Sequence, residues 1–166
     1  VLRVAGVDVA LPGPGGDCCG ALHEHGGRRD DAIRLARRVM SSMPGTAPIV
    51  VDSAGCGAAL QHYGELLDTP EAHAFSARVR DFAQYVAEVG VPAVRPSGRT
   101  VVVQDPCHLR HVQRSHLATR TVLGEAYTLV ETDDDGLCCG AGGAYSQLQP
   151  ALAADRKSTR LNSSHL

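Results

Sequence analysis

The residues best suited to chemistry are six cysteines, four of which form two adjacent pairs that are each followed by glycine. The pairs are Cys18–Cys19 in GGDCCGALHEHGG and Cys138–Cys139 in DDDGLCCGAGGAYSQLQP. A disulfide between neighbouring cysteines closes a strained ring, because bridged α-carbons normally lie farther apart. Thiolates are soft ligands for iron–sulfur clusters and zinc, and two adjacent ones can contact different atoms of a polynuclear cluster. The pairs therefore predict metal ligation, with a cluster favoured and structural zinc as the alternative.

The two single cysteines extend this pattern into a repeat. Cys56 follows Cys19 by 37 positions, and Cys107 precedes Cys138 by 31 positions. A cysteine 31 positions before Cys18 would lie before residue 1, and a cysteine 37 positions after Cys139 would lie beyond residue 166. We therefore expect two copies of one unit with a cysteine before the pair and another after it, each copy lacking one member. No residue is predicted to be catalytic. All six cysteines are predicted ligands of a cluster or metal: Cys18, Cys19, Cys56, Cys107, Cys138 and Cys139.

Strands and helices alternate around these cysteines, which predicts an α/β fold with parallel strands. Apolar and β-branched runs predict strands over 1–10, 47–52 and 126–131, and 100–107 is predicted to be a strand followed by a proline turn and a cysteine. Apolar residues at helical spacing predict helices over 28–43, 58–67, 71–90 and 108–124. The fold class is thus a duplicated βαβ-type unit with cysteines at strand-to-helix loops, which gather at the carboxyl edge of a parallel sheet.

This edge suits a bound inorganic group for two further reasons. Helix N-termini favour anions, so they are expected to lower thiol pKa values and stabilise thiolates. Glycine after each cysteine pair is expected to let the backbone approach a bulky group. Four nearby histidines are candidates for metal ligation or for hydrogen bonds to sulfur, although local pairing is the simpler interpretation of each: His23, His25, His108 and His111. His62, His73 and His116 are expected on helix surfaces.

The chain divides into four predicted segments. They are a first repeat over 1–90, a linker over 91–99, a second repeat over 100–154 and a tail over 155–166. The tail holds the only lysine and the only asparagine, and DRKSTRLNSSH matches a translated sequencing-library adapter. Val1 rather than methionine at the start, followed by a strand-like run, indicates that upstream residues are missing.

Composition excludes several function classes. A net charge of −2 in 166 residues argues against nucleic-acid binding by charge. No apolar run approaches the roughly 20 residues of a membrane span. The Gly140–Gly143 run lacks the third glycine of a dinucleotide fingerprint, because Tyr145 stands there.

Two charged segments are expected to be exposed to solvent. Asp133–Asp135 are expected in a solvated turn. The arginines of 28–38 are expected on a solvent-exposed helix face, with docking of a partner subunit as the weaker interpretation of those arginines.

Four motifs together resemble a known family. DCCGALHEHGG, VVDSAGCGAALQHYGELL, VVVQDPCHLRHVQ and LCCGAGGAYSQLQP are similar to the duplicated cysteine-rich CCG domain. That domain is shared by heterodisulfide reductase subunits and the iron–sulfur subunits of flavin-linked 2-hydroxyacid dehydrogenases. The resemblance is strongest to iron–sulfur subunits of glycolate oxidases. One departure is Ser53, which stands where heterodisulfide reductases have the first cysteine of Cys-x-x-Cys.

The resemblance implies a non-catalytic electron-transfer subunit that carries an iron–sulfur cluster, with [4Fe–4S] the implied type. Electrons would come from a partner subunit that holds FAD and oxidises glycolate, and would leave toward a quinone or another acceptor. The implied location is the cytoplasm, or the inner face of the cell membrane as a peripheral protein. The alternatives are a lactate-oxidation iron–sulfur subunit, a heterodisulfide reductase-like thiol/disulfide subunit and a zinc-stabilised interaction domain.

Overall fold

A computed structural model of the chain describes residues 1–90, 94–131, 140 and 145–155. It combines helices with short parallel strands, so the predicted α/β class is confirmed. The first-half elements are α1 (Ala21–His25), α2 (Arg29–Ser42), β1 (Ile49–Val51), α3 (Ala54–Gln61), α4 (Tyr63–Leu67), α5 (Pro70–Ala77), β2 (Val79–Asp81) and α6 (Phe82–Val89). The second-half elements are β3 (Thr100–Val103), a π-helical turn (His108–Val112), α7 (Leu117–Gly124), β4 (Thr128–Glu131) and α8 (Tyr145–Leu148), with residues 150–155 also helical.

The strands form two separate parallel pairs. β1 pairs with β2, with Ile49 opposite Val79, and β3 pairs with β4, with Val103 opposite Glu131. Parallel neighbours need a crossover connection, which α3–α5 supply in the first pair and the π-helical turn with α7 supplies in the second. The first pair lies within residues 1–90 and the second within 100–154. The division of the chain into two repeats stays a prediction.

The main apolar core lies in the first half. It forms because α2 places apolar residues at helical spacing toward β1, β2 and the helices that follow them. Tyr63 at its centre is 1% exposed and stacks on Phe75 with ring centroids 5.8 Å apart. The cluster consists of Ala32, Ala36, Val39, Ile49, Leu60, Tyr63, Leu66, Phe75 and Val79.

The prediction of one helix over 71–90 is wrong. α5 ends at Ala77, β2 follows, and α6 begins at Phe82. Val79 is β-branched and buried, and it pairs with Ile49 instead of continuing the helix. Asp81 then caps α6, because its Oδ1 accepts a hydrogen bond of 2.9 Å from the Ala83 N–H.

Three other predicted elements also differ from the structure. The helix predicted over 58–67 begins four residues earlier and is divided at His62 into α3 and α4. Residues 1–10 form turns and irregular chain instead of a strand, with backbone bonds such as Ala5 N–H to Val1 C=O and a left-handed Gly6. The apolar alternation there has no neighbouring strand to pair with among the described residues. The predicted helix over 108–124 is interrupted after the π-helical turn, where Arg114 has a positive φ of 55°.

Several predictions fall outside the described residues. They concern Cys138 and Cys139, the Asp133–Asp135 turn, most of the glycine run before Tyr145, part of the 91–99 linker and nearly all of the 155–166 tail. Among the residues that are described, every helix is too short or too polar to cross a bilayer.

Candidate metal centre

Two cysteines distant in sequence meet in the structure. The Sγ atoms of Cys19 and Cys56 lie 3.2 Å apart, and the Cys19 thiol donates a weak hydrogen bond to the Cys56 sulfur. Cys19 stands two residues before α1, whereas Cys56 lies in the first turn of α3, directly after β1. Both thiols remain partly accessible, and Cys18 beside them is exposed. Two predicted ligands, one from a loop and one from a helix start, are therefore brought to one place.

A buried tyrosine positions Cys19. The Tyr63 hydroxyl donates a hydrogen bond of 2.7 Å to the Cys19 backbone carbonyl. Burial, followed by the nearby cysteine thiolates, raises the pKa of Tyr63, so this hydroxyl keeps its proton and remains a donor. Sequence patterns did not single out Tyr63 for this role, because the two residues are 44 positions apart.

The glycine after the first cysteine pair has a role in helix packing. Gly20 has a left-handed backbone with φ 79°. A Cβ atom there would lie 3.3 Å from Ala32 and Leu35 atoms on α2. Gly20 therefore lets the chain turn from the cysteine pair into α1 while α1 packs closely on α2.

The helix that carries Cys56 is held by the second half of the chain. Gln113, just after the π-helical turn, donates a hydrogen bond of 2.8 Å from Nε2 to the Ala54 carbonyl. A Cβ atom on Gly57 would lie 2.8 Å from the same Nε2, so glycine after Cys56 permits this contact. Gln113 is a second positioning residue that sequence patterns did not reveal.

Cys107 belongs to the same region of the molecule. It directly precedes the π-helical turn, which packs on α3. His108 in this turn stacks with His25 of α1, with ring centroids 6.3 Å apart. A cavity of about 500 Å³ lies between α1, α3 and the turn. The segments that carry Cys19, Cys56 and Cys107 are thus neighbours, whereas Cys138 and Cys139 lie outside the described residues.

The electrostatics of Cys19 differ from the sequence expectation. Its pKa is raised to about 11, mainly because burial disfavours the thiolate and further because Cys56 lies beside it. A hydrogen bond from the Ala21 backbone opposes this rise without cancelling it. The protein alone therefore keeps Cys19 as a thiol at neutral pH. A cation that binds there must displace the proton.

The histidines divide into two groups. His62 and His73 have half or more of their side chains exposed, as expected for helix surfaces. The Nδ1 atoms of His23 and His116 are buried and have no hydrogen-bond partner among the described residues, although His116 as a whole is only half-buried and lies directly before α7. His23 lies on α1, four positions after Cys19. A buried ring nitrogen without a partner close to a cysteine pair is compatible with a bound group there.

The donor set fits a soft metal centre. Thiols are the ligands that iron–sulfur clusters and zinc prefer, and two of them already converge. Within the described part of the chain, no three His, Cys, Asp or Glu side chains are grouped closely enough to hold a single metal ion. Cys18, Cys19, Cys56 and Cys107 are the described residues that could hold a cluster.

Comparison with known protein families finds a match to a cysteine-rich domain. The profile described as "Cysteine-rich domain", CCG, matches the chain twice, over residues 1–61 and 101–164. The first match contains Cys18, Cys19 and Cys56, and the second contains Cys107, Cys138 and Cys139.

Curated proteins with similar sequences carry related names. The chain is 32% identical to the "Probable glycolate oxidase iron-sulfur subunit" of Bacillus subtilis over 92% of its own length and 37% of that protein. It is 28% identical to the "Glycolate oxidase iron-sulfur subunit" of Escherichia coli, over 98% of the chain and 42% of that protein. It is 26% identical to "Lactate utilization protein A" of Shouchella clausii, over 82% of the chain and 61% of that protein.

The chain spans about two fifths of the length of the two glycolate oxidase subunits that it resembles. No solved structure matches it at a significant level.

Proposed function

This chain belongs to the cysteine-rich CCG domain family, and from that premise we propose that it is an iron–sulfur electron-transfer module. The proposed cluster type is [4Fe–4S], and six cysteines would supply the ligands: Cys18, Cys19, Cys56, Cys107, Cys138 and Cys139. The observation that carries the proposal is the 3.2 Å approach of the Cys19 sulfur, from the loop before α1, and the Cys56 sulfur, from the first turn of α3. The iron–sulfur subunits among its relatives support the same conclusion.

The residues of this chain would bind and shield the cluster and take no part in substrate chemistry. An iron–sulfur cluster, when bound, accepts and releases single electrons at a potential set by charge, burial and hydrogen bonds to sulfur. Tyr63 and Gly20 would hold Cys19 in place, and Gln113 would hold the start of the helix that carries Cys56. The buried, partly apolar surroundings of Cys19 would limit the access of water to the metal.

Metal analysis of the anaerobically purified full-length protein tests this proposal. We expect iron and acid-labile sulfide in similar amounts, together with a visible absorption band that dithionite bleaches. Cys56→Ala should remove part of the iron, because it deletes one of the two converging thiols. Ser53→Ala, at the residue directly before the same helix and without a sulfur, is the matched control and should keep all of it. Zinc without iron would refute electron transfer and favour a structural domain.

We further propose that the module serves a flavin-containing 2-hydroxyacid oxidase, with glycolate as the substrate of the FAD-bearing partner subunit. The two similar glycolate oxidase subunits support this choice. A quinone is the proposed acceptor, and the proposed location is the cytoplasm or the inner membrane surface. Co-purification from the native host should recover a flavoprotein that reduces the iron–sulfur module with glycolate and not with lactate.

A lactate-oxidation role is the second candidate, and the similarity to lactate utilization protein A favours it. The same co-purification distinguishes the two, since reduction with lactate alone would select this candidate. Turnover of a disulfide substrate, lost in Cys138→Ser or Cys139→Ser, would instead indicate a thiol/disulfide subunit.

A further inference from the structure

We propose that Cys19 and Cys56 form a site of oxidative modification, at which a peroxide converts the two thiols into a disulfide when no cluster is bound. The disulfide occupies two of the sulfurs that the cluster needs, so it prevents loading until a dithiol reductant reopens it. The inference rests on the proposed function in one respect, because it concerns what two proposed ligands do in the cluster-free protein.

The two thiols already lie close to bonding distance. Their Sγ atoms are 3.2 Å apart, and both residues are free cysteines in the structure. A disulfide has a sulfur–sulfur length of about 2.05 Å, so the two atoms must approach by little more than about 1 Å. Both side chains remain partly accessible, which admits a small oxidant. Closure therefore requires only a small local movement.

The contacts around the pair keep the two thiols within reach of each other. The Tyr63 hydroxyl, in the buried core, donates a hydrogen bond of 2.7 Å to the Cys19 backbone carbonyl. On the other side, Gln113 Nε2 donates a hydrogen bond of 2.8 Å to the Ala54 carbonyl, in the first turn of the helix that carries Cys56. These contacts belong to the protein alone, so the pair does not depend on a metal to hold it together.

Cys18, the third thiol of this region, is a poor partner for either residue. It is adjacent to Cys19 in sequence, and a disulfide between neighbours closes a strained ring. It is also exposed, whereas Cys19 and Cys56 are half-buried and the Cys19 sulfur is the one that contacts Cys56. The geometry therefore favours the pairing of Cys19 with Cys56.

The oxidation balances with hydrogen peroxide as the oxidant. The Cys19 thiol is the hydrogen-bond donor in the contact, so the Cys56 sulfur is placed to attack first. It attacks one peroxide oxygen, the O–O bond breaks, and the other oxygen leaves as water with the Cys56 proton, which makes Cys56 a sulfenic acid. The Cys19 sulfur then attacks the Cys56 sulfur, and the hydroxyl leaves as water with the Cys19 proton. The two thiols thus lose two electrons, and the peroxide gains them.

The disulfide has two consequences that can be measured. It removes two of the described cysteines from the set that could hold a cluster, so iron and sulfide find fewer ligands. It also closes a loop across 37 positions that includes α2 and β1. A cross-link of this kind restricts the unfolded chain, so we expect a higher urea midpoint.

The experiment treats the full-length protein, stripped of iron, with a small excess of hydrogen peroxide. We expect a cross-link between the tryptic peptides 4–28 and 39–78, at a mass two hydrogens below that of the two peptides together. The oxidised protein should have a higher urea midpoint and should take up little iron and sulfide until dithiothreitol reduces it.

Two cysteine variants test the pairing. Cys18→Ala should keep the cross-link and the higher midpoint, because Cys18 takes no part. Cys19→Ala should lose both and should leave a sulfenic acid on Cys56 that reacts with dimedone. The two substitutions are matched, since they remove one sulfur each from adjacent positions.

Three results would overturn the inference while leaving the proposed function intact. One is a cross-link of equal yield in Cys19→Ala, and another is oxidation of the native protein to sulfinic acids without a cross-link. The third is equal uptake of iron by the oxidised and the reduced protein. A purified protein that carries zinc in place of iron would refute the proposed function instead, and the peptide cross-link is read independently of the metal.

Discussion

The two strand pairs of this molecule lead to cysteines in the same way but are held together by different forces. Around β1 and β2, nine buried apolar residues from strands and helices form one core. Around β3 and β4, the described buried residues include only two large apolar side chains, Val103 and Leu109, together with the charged Asp105. Val102 and Val130 on this second sheet remain 45% exposed. One cysteine edge is fixed by apolar packing and the other by paired charges.

This difference shows that cysteines at equivalent places in the two halves are held by different kinds of interaction. Cys19 is fixed by a tyrosine that projects from an apolar core. Cys107 follows a carboxylate fixed by two arginines. Apolar burial is non-directional, whereas a buried ion pair depends on the presence of both partners. The two halves should therefore respond to different substitutions.

The largest effect is expected from Phe75→Ala in the first half. Phe75 is 3% exposed and stacks on Tyr63, so its truncation leaves a cavity in the main core. We expect the free energy of unfolding to fall by about 3–5 kcal/mol. Leu117→Ala, at a residue 62% exposed in the second half, should change it by less than about 0.5 kcal/mol. Urea unfolding followed by circular dichroism measures both, and similar losses would contradict the comparison.

The second prediction concerns Asp105, the buried charged residue of the second half. Asp105→Asn leaves Arg110 and Arg120 facing a neutral amide in a buried site, so we expect a loss of about 3 kcal/mol. Asp31→Asn is the matched control, because Asp31 also pairs with two arginines, Arg28 and Arg34, but on the exposed surface of α2. Its effect on urea unfolding should be small, since exposed ion pairs contribute little. Equal effects would show that burial of Asp105 is unimportant.

The sequence predicted the local features of both halves and missed what joins them. α2 and the strands β1, β3 and β4 follow from periodicity and β-branched runs, and each lies within its predicted range. The prediction over 71–90 was wrong because Phe75, Val79, Phe82 and Val86 keep helical spacing across β2. The interruption comes from pairing with Ile49, thirty positions earlier, which no local pattern records.

The candidate site shows the same limit. Cysteine types and spacing were sufficient to nominate the ligands, because soft sulfur donors are chemically distinctive. The positioning residues cannot be recognised from residue type or spacing in the same way. Tyr63 acts on Cys19 across 44 positions and Gln113 on Ala54 across 59, so only the folded chain brings them together. The pKa of Cys19 was also mispredicted, since burial outweighs the local backbone donor.

A smaller effect is expected at the link between the first core and its cysteine. Tyr63→Phe keeps the ring in the core but leaves the Cys19 carbonyl without its donor, which should cost about 1–2 kcal/mol in unfolding free energy. The loaded protein should also release iron to a chelator faster. Tyr85→Phe on α6 is the control and should leave iron release unchanged. Unchanged release in Tyr63→Phe would refute the positioning role of the hydroxyl.

The smallest effect is expected from the pH dependence of the metal-free chain. The folded pKa of Cys19 is about 11, above the ordinary value of 9.0, so the folded state holds this proton more tightly than the unfolded state does. The resulting stability is therefore complete below about pH 9 and is lost as the pH rises toward 11. Urea midpoints of the reduced, metal-free protein between pH 8 and about 10.5 should decline less steeply in Cys19→Ala than in the native chain. Cys18→Ala, one residue away and exposed, keeps Tyr63 and every other titrating group. It should retain the native slope, and a slope equal to that of Cys19→Ala would show that burial of Cys19 does not govern its protonation.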